Sequence, residues 1–488
     1  MQITQEERKS IQKLCAKFRE YNSINPALYE KYDVKRGLRN ADGTGVLAGL
    51  TKICNVKGYI VSDNEREPVE GKLTYRGMNI YDLVDGFISE NRFGFEEITY
   101  LLLFGYLPNK AELEQFCHTL SDFRELPADF AEDMIFKAPS RNIMNKLARS
   151  VLALYSYDEN AEDTSLESEM EKAIKLIARM PTIMGNAYQV KRRHYDQESM
   201  YFHRARPEEG IAEGILSTLR ADRQYTDEEA KLLDLCLVLH AEHGGGNNST
   251  FTCRTLTSTG TDAYSAYAGA ISSLKGRKHG GANLKVVEMV DYLRKELHNI
   301  NDKQEVRSLL EKIIDKEFGD RTGLVYGMGN AVYTLSDTRA VILKQRATAL
   351  AQGTEFEPTF QLLNTIEELT PVVFAEKKNS TKEICANVDM YSGFVYEMLK
   401  IPYDLFTPLF AGLKGNDKAL CANVDMYSGL VYRSLGIHPD LFTPLFAVAR
   451  MSGWAAHRME ELIYGGRIIR PGYKSVIKSA PYTKLESR

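Results

Sequence analysis

The chain of 488 residues contains few cysteines and no long apolar run. Its seven cysteines, an odd number at scattered positions, do not suit a disulfide framework and are typical of reduced thiols in a cytosol. The start, "MQITQEERKSIQKLCAKF", lacks the apolar core of a secretion signal, and its acidic residues are untypical of a transit peptide. The apolar segment "YLLLFGYLP" is too short to span a bilayer. These absences predict a soluble cytoplasmic protein with no membrane partner.

An excess of basic charge is also missing. The net charge is −4, the isoelectric point is near 6.2, and acidic and basic residues are interspersed, which argues against a nucleic-acid partner. The phosphate loop Gly-x-x-x-x-Gly-Lys-[Ser/Thr] does not occur, and Gly327-x-Gly329 lacks the third glycine of a dinucleotide loop. No Cys-x-x-Cys pair exists, so a zinc site built on His240 and His243 is a weak alternative, and we expect no metal.

What the sequence does contain is helical periodicity. Thr226 is a predicted N-cap, and Glu229 three residues later completes a capping box for a helix over 226–243 that Gly244–Gly246 end. Alternation typical of a strand is confined to short pieces such as 57–63. The sequence therefore predicts a mainly α fold. Further helices are predicted over 98–122, 165–185, 262–275, 284–298, 303–317 and 337–352.

A repeat around an aspartate stands out near the end of the chain. Residues 385–414 align with 421–450 at an offset of 36 without a gap, and 21 of the 30 positions are identical. Two copies are too few for a solenoid, which generally needs three or more, so we interpret the repeat as a local tandem duplication. Asp389 and Asp425 are equivalent positions in the two copies. Each could be a general base or a helix cap.

Two histidines lie beside glycine-rich bends. His243 in "LHAEHGGGNNS" lies at the end of a predicted helix, whose dipole favours a cation and hence a carboxylate-binding imidazolium; a helix-capping histidine is the alternative. His279 in "KGRKHGGAN" precedes a predicted helix start, where the neutral ring is favoured and can donate one N–H to an enol. Arg450 and Arg470 are forked donors suited to carboxylates.

Seven segments, in order, resemble the citrate synthase family from about residue 45 to 476. They are "YRGMNIYDLV", "HAEHGGGN", "KHGGAN", "YGMGNAVYTLSDTRA", "NVDMYSG", "FAVARMSGW" and "RIIRPGY". The resemblance implies a mainly helical homodimer with a large domain and a smaller mobile one. It also implies condensation of acetyl-CoA with oxaloacetate to citrate and CoA, with acetyl-CoA as a substrate and no cofactor.

The resemblance also assigns roles to particular residues. The aspartate of "NVD" is implied to be the base, and His279 the donor to the enol oxygen. Oxaloacetate is implied to bind to four residues of this chain, with the last contributed by the other subunit: His243, Arg339, Arg450 and Arg470. The implied large domain spans 1–280 and 385–488, with 385–420 a duplicate of 421–456, and the small domain spans 281–384.

Two departures from the family pattern affect the prediction. Asn330 occupies the position of the family's second catalytic histidine, and an amide donates a hydrogen bond but has no titratable proton. Because losing one such donor costs roughly 10²–10³ in rate, we predict a slow enzyme. For the base we favour Asp425, since Arg450 follows the second copy while the first has Lys414 there; Asp389, 59 residues after Asn330, is the alternative.

Two other functions remain open at this stage. A 2-methylcitrate synthase would use propionyl-CoA in place of acetyl-CoA. A catalytically silent relative would bind oxaloacetate or CoA without condensing them, which Asn330 and the duplication both suggest. Release of thiol from acetyl-CoA with and without oxaloacetate separates these possibilities.

Overall fold

A computed structural model provides the fold. It describes residues 4–40, 44–62, 65–276, 279, 282–329, 332–333, 335–351, 353, 357–378, 437–464, 466–477 and 482. The chain forms two compact units, residues 1–50 and 51–488.

The first unit is a short helical segment. It contains α1 (Gln5–Tyr21), α2 (Ala27–Lys31) and a 3₁₀ turn at Arg36–Leu38. Thr4 caps α1 through a capping box with Glu7, in which each side chain bonds the other's backbone N–H. None of the residues in α1 is buried, so apolar side chains such as Leu14 and Phe18 face solvent.

The second unit opens with a small antiparallel sheet. The strands β1 (Cys54–Ser62), β2 (Glu65–Tyr75) and β3 (Met78–Asn79) follow one another in the order β1–β2–β3. Lys57 lies directly opposite Lys72, and the register shifts just beyond, between Lys57 and Tyr59. The predicted strand over 57–63 is thus the second half of a longer hairpin strand.

Helices make up most of the remaining described chain. They are α3 (Ile80–Ser89), α4 (Phe95–Phe104), α5 (Lys110–Asp122), α6 (Ile143–Ala153), α7 (Leu166–Lys191), α8 (Ile211–Leu219), α9 (Asp227–His240), α10 (Asn248–Thr257), α11 (Ala263–Leu274), α12 (Ala282–Glu296), α13 (Lys303–Ile314), α14 (Thr338–Ala351), α15 (Glu357–Lys378) and α16 (Phe442–Tyr464). Short π-helical turns at Ala131–Phe136 and Arg192–Asp196 and 3₁₀ turns at Leu154–Tyr157 and Pro439–Leu441 complete them.

Most predicted helices occur within a few residues of their predicted bounds, with one clear exception. The segment 98–122 is two helices, α4 and α5, because Pro108 has no N–H to continue a helix and Asn109 starts a new one. Asn109 and Glu112 form a capping box, with bonds of 2.8 and 3.0 Å. The capping box predicted at Thr226 and Glu229 is confirmed at the start of α9.

The long helix α16 runs through the centre of the second unit. Nearly every residue from Phe442 to Glu460 is buried, and the helix packs against α4, α7, α9, α10 and α11. Arg458 of α16 forms an ion pair with Glu169 of α7 in which both side chains are fully buried, with contacts of 2.6 and 2.7 Å. A buried pair of this kind is strongly destabilised when one partner is removed, so it fixes α16 against α7.

The mainly α fold is confirmed by these elements and by the solved structures described below. The predicted division into a large and a small domain stays a prediction. The first copy of the duplicated segment, 385–420, lies outside the described residues, and only 437–456 of the second copy lies within them. Among the helices described here, none is long and apolar enough to cross a membrane.

Candidate active site

The segment that carries His243 follows the C-terminal end of α9. This helix ends at His240 rather than at 243 because side chains from elsewhere bind its last carbonyls. Arg450 Nε donates to the carbonyl of His240 at 2.6 Å. The Tyr75 hydroxyl lies 3.2 Å from the carbonyl of Val238 and 3.0 Å from that of Glu242. The end of α9 is therefore fixed by the hairpin on one side and by α16 on the other.

The carboxylate of Glu242 holds the same segment from within. Its Oε1 accepts hydrogen bonds from the Gly244 N–H at 2.5 Å and from His457 Nε2 at 3.1 Å. His457 Nδ1 accepts from Arg254, which also pairs with Glu460 and, at 2.7 Å, with Glu461. Burial opposes the charge of Glu242, but His457 and Arg450 outweigh it and lower its pKa. His243 is thus held between two residues that a buried ionic network fixes.

The expected imidazolium of His243 is not favoured in this structure. Burial, followed by the charges of Arg339 and Arg450, lowers the pKa of His243 well below its usual range. The macrodipole of α9 does not reverse this, because the helix has ended three residues earlier and two guanidinium groups lie close by. His243 Nε2 is shielded from solvent and has no hydrogen-bond partner in the described part of the chain. A neutral ring with a buried nitrogen remains suited to a polar ligand.

His279 precedes α12, which begins at Ala282 as predicted, and its ring also contacts the N-terminal end of α10. Its Nε2 accepts a hydrogen bond of 3.2 Å from the backbone N–H of Ser249, in the first turn of α10. This contact assigns the ring proton of the neutral form to Nδ1. Burial, together with the charge of Arg450, lowers the pKa of His279 to about 4. The predicted neutral donor is therefore what this environment favours, and the N-terminus of α10 sets its tautomer.

The loop before α14 lies directly on the hairpin. A Cβ on Gly58 would be 2.5 Å from the Tyr333 Cα, and one on Gly71 would be 2.1 Å from the Ser336 carbonyl oxygen. Only glycine permits backbone to approach this closely. The Ser336 hydroxyl also accepts from the Gly71 N–H at 3.2 Å and contacts Glu70. The Tyr333 ring then lies 5.6 Å, between centroids, from the ring of His243.

Arg339 is buried in the first turn of α14. Its Nε and Nη2 donate to the two carboxylate oxygens of Asp337 at 3.1 and 2.8 Å. Burial disfavours the guanidinium charge, but the Asp337 carboxylate more than compensates and raises the pKa of Arg339. This forked pair fixes the plane of the guanidinium group and leaves Nη1 outside the ion pair.

Four of the predicted site residues converge in the second unit. Arg339 and Arg450 each lower the pKa of His243, Arg450 also lowers that of His279, and His279 lowers that of His243. The charges are thus within electrostatic reach of one another. The cluster contains two buried cations and two neutral imidazoles, which suits a small dianion together with a group that needs an uncharged donor.

The other predicted residues are not part of this cluster. Arg470 is exposed in the segment 466–477 and forms no ion pair with any described residue of its own chain. Asn330, Asp389 and Asp425 lie outside the described residues.

The sequence analysis did not predict three residues that hold the site residues in place. Asp337 stands two residues before Arg339, and Glu242 stands between the two histidines of "HAEH", so both were close to predicted residues. His457 is 215 residues from Glu242 and carried no local signal. In the described chain no group of three or more His, Cys, Asp or Glu side chains could hold a metal ion, so His240 and His243 lack a third ligand.

The fold places the chain in a class of mainly helical proteins that solved structures share. A citrate synthase from Pyrobaculum aerophilum has 27% sequence identity and a TM-score of 0.66, with 93% of this chain and 95% of that chain covered. A ternary complex of carboxymethyl coenzyme A and oxaloacetate with citrate synthase from Thermoplasma acidophilum has 22% identity and a TM-score of 0.69, covering 93% and 99%. This second likeness concerns the fold alone.

The particular family follows from sequence. The profile described as "Citrate synthase, C-terminal domain" matches residues 42–414 and 412–472. A citrate synthase from Acidithiobacillus ferridurans is 32% identical over 435 residues, which are 88% of this chain and 92% of that protein. Citrate synthase 2 from Bacillus subtilis is 33% identical over 407 residues, 83% and 90% of the two chains. The chain belongs to the citrate synthase family.

Proposed function

We propose that the protein is a citrate synthase, which condenses acetyl-CoA with oxaloacetate to give citrate and CoA. The observation that carries the proposal is the state of His279: a neutral imidazole whose Nε2 is occupied by the Ser249 N–H, so that Nδ1–H is its one donor. Such a neutral donor stabilises the negatively charged oxygen of the enolate through a hydrogen bond.

The second substrate, oxaloacetate, suits the rest of the cluster. Arg339 and Arg450 supply two buried cations for its carboxylates, and His243 supplies a buried polar nitrogen. Arg470 is exposed in its own chain, so in this proposal it reaches the site of a second copy. A homodimer with two sites follows, each site completed by the other subunit.

The proposed reaction starts with proton transfer from the acetyl methyl group to the aspartate of one "NVD" segment. The resulting enolate, whose oxygen accepts a hydrogen bond from His279 Nδ1–H, forms a carbon–carbon bond to the ketone carbon of oxaloacetate. The ketone oxygen becomes the hydroxyl oxygen of a citryl thioester, and water then cleaves the thioester to release CoA. Asn330 can donate a hydrogen bond to the ketone oxygen but cannot deliver its proton, so the proton must come from another group.

Asn330 also favours a second candidate, a silent relative that binds the substrates without condensing them. Thiol release from acetyl-CoA, measured with and without oxaloacetate on the wild type and on Asn330→His, separates the two. Oxaloacetate-dependent release by the wild type, with a rise of roughly tenfold or more in Asn330→His, supports a slow synthase. Binding of oxaloacetate without release by either protein supports the silent relative. Propionyl-CoA in the same assay tests the 2-methylcitrate alternative.

The two candidate bases are tested separately. In Asp425→Ala and Asp389→Ala, only the variant that lacks the functional base should lose condensation while it retains oxaloacetate binding. We expect this to be Asp425→Ala, because Arg450 follows that copy. Loss of activity in Asp389→Ala alone would reverse the assignment. We further propose that the protein acts in the tricarboxylic acid cycle, and the cytoplasmic location stays a prediction.

A further inference from the structure

A groove lined by lysines lies on the hairpin, next to the candidate site. Its volume is about 480 Å³, within the range of about 300–1,000 Å³ common for ligand pockets. The lining residues are Thr51, Lys52, Cys54, Asn55, Lys57, Lys72, Thr74 and Gly77. The three lysines are exposed, and none has an acidic partner in the part of the chain that the structure describes. The chain as a whole is acidic, with a net charge of −4.

The arrangement of two of these lysines is unfavourable for the hairpin by itself. Lys57 and Lys72 are paired directly opposite each other across β1 and β2. Like charges at directly opposite positions of an antiparallel pair destabilise it. An anion in the groove removes this repulsion, whereas no described protein group does.

The floor of the groove connects it to the cluster of histidines and arginines. Cys54 and Thr74 are each 8% exposed, so they close the groove from below. Burial and the charge of Glu242 raise the pKa of the Cys54 thiol, while Arg450 and Arg339 act in the opposite direction. The thiol therefore lies within electrostatic reach of both arginines. The backbone N–H of Lys52 donates to Glu460 at 2.8 Å and ties the groove wall to α16.

We propose that this groove binds a ligand that carries two or more phosphate groups, with Lys52, Lys57 and Lys72 as its cationic contacts. Ammonium groups bind phosphate as point charges and need no forked geometry, so an open groove with three of them suits a flexible polyphosphate. The choice of CoA as the ligand rests on the proposed function, because the CoA thioester substrate carries a diphosphate in its nucleotide part. Free polyphosphates share the chemistry, and the experiment distinguishes the two sources.

The test reverses the charges of the groove in Lys57→Glu/Lys72→Glu. We expect the KM for acetyl-CoA to rise roughly tenfold or more, while the KM for oxaloacetate and that for S-acetylpantetheine, which lacks the nucleotide, change by less than about twofold. Lys9→Glu/Lys13→Glu makes the same change of charge on α1, at exposed positions of the first unit, and is the matched control.

Direct binding decides the case independently of turnover. Calorimetric titration with inorganic pyrophosphate and with CoA is compared between the wild type, the groove variant and the control. Loss of both affinities in the groove variant supports the groove with CoA as the ligand, and loss of pyrophosphate affinity alone supports a free polyphosphate. Unchanged affinity for both overturns the inference. If the wild type binds CoA through these lysines but releases no thiol, the inference about the groove holds and the proposed synthase activity is refuted.

The single change Lys57→Glu separates a role of Lys57 in ligand binding from a role in stabilising the hairpin. It replaces the like-charge pair by opposite charges across the hairpin, so the melting temperature should stay equal or rise. At the same time the affinity for pyrophosphate should fall several-fold. A lower melting temperature together with unchanged pyrophosphate affinity would contradict the inference.

Discussion

Two arginines of the same predicted role occupy opposite environments. Arg450 in α16 is fully buried, and its Nε bonds the His240 carbonyl at 2.6 Å. Arg470 lies in the exposed segment 466–477, where Tyr473 is 95% exposed and Ile468 is 62% exposed. The described anchor closest to it is the Ile469 N–H, which donates to the Ser258 hydroxyl at 3.1 Å.

The difference shows which of the predicted site residues the contacts within one chain hold in place. The chain alone fixes Arg450, Arg339, His243 and His279 in one cluster through buried contacts. It does not do so for Arg470, whose segment exposes apolar side chains that a second subunit can cover. Under the proposed function, one arginine acts within its own chain and the other acts across an interface.

The largest expected effect comes from removing each arginine in turn. Arg450→Met and Arg470→Met should each lower kcat/KM by roughly 30-fold or more, because truncating one side of a desolvated charge pair costs about 2–5 kcal/mol. Only Arg450→Met should also lower the free energy of unfolding, by about 1–3 kcal/mol, since the buried His240 carbonyl loses its donor. Urea unfolding and steady-state kinetics measure both. Equal destabilisation by the two variants would remove the contrast.

Mixing the two variants tests the interface directly. In a dimer of one Arg450→Met and one Arg470→Met subunit, the site of the second subunit has its own Arg450 and the partner's intact Arg470. Random assembly at equal amounts makes half of the dimers mixed, with one complete site in two, so roughly a quarter of wild-type activity should return. Each variant assembled alone is the control. No recovery after co-refolding would place Arg470 in the site of its own chain.

The sequence predicted the parts of this molecule that depend on local chemistry. A capping box and helical periodicity located about half of the helices named above, because caps and amphipathic faces are encoded within a few residues. The neutral state of His279 was also predicted, although burial and the charge of Arg450 favour it, and the N-terminus of α10 sets the tautomer.

Long-range contacts account for what the sequence could not predict. The early end of α9 and the neutral His243 both depend on donors and charges that reach the segment from β2, α14 and α16. The support of Glu242 by His457 joins residues 215 apart, and no spacing rule anticipates it. The position of the base depends on the two "NVD" segments, which lie outside the described residues.

A smaller effect is expected at Glu242, which holds the segment around His243. Glu242→Ala leaves the N–H groups of Gly244 and His457 without their acceptor, so the KM for oxaloacetate should rise about tenfold while the KM for acetyl-CoA stays within about twofold. Glu242→Gln keeps an acceptor oxygen of the same shape and should restore most of the affinity. Equal losses in the two variants would mean that the charge, rather than the hydrogen bonds, matters.

The smallest expected effect is a dependence of the free energy of unfolding on pH, to which a buried and an exposed histidine contribute in opposite directions. The pKa of His279 is lowered to about 4, first by burial and then by Arg450, while an unfolded histidine titrates near 6.5. Between these values the unfolded chain binds a proton that the folded site does not. The free energy of unfolding should therefore fall as the pH drops from about 6.5 toward 4, and this contribution is complete above that window.

His298 provides the matched control. It is exposed, and hydrogen bonding to Glu305 raises its pKa, so it stabilises the folded chain at low pH and loses this contribution as the pH rises through its folded-state value. Urea midpoints measured from pH 7.5 to 4.5 should show a shallower acid loss in His279→Asn and a slightly steeper one in His298→Asn. If both substitutions changed the slope in the same direction, the distinction between buried and exposed histidines would not hold.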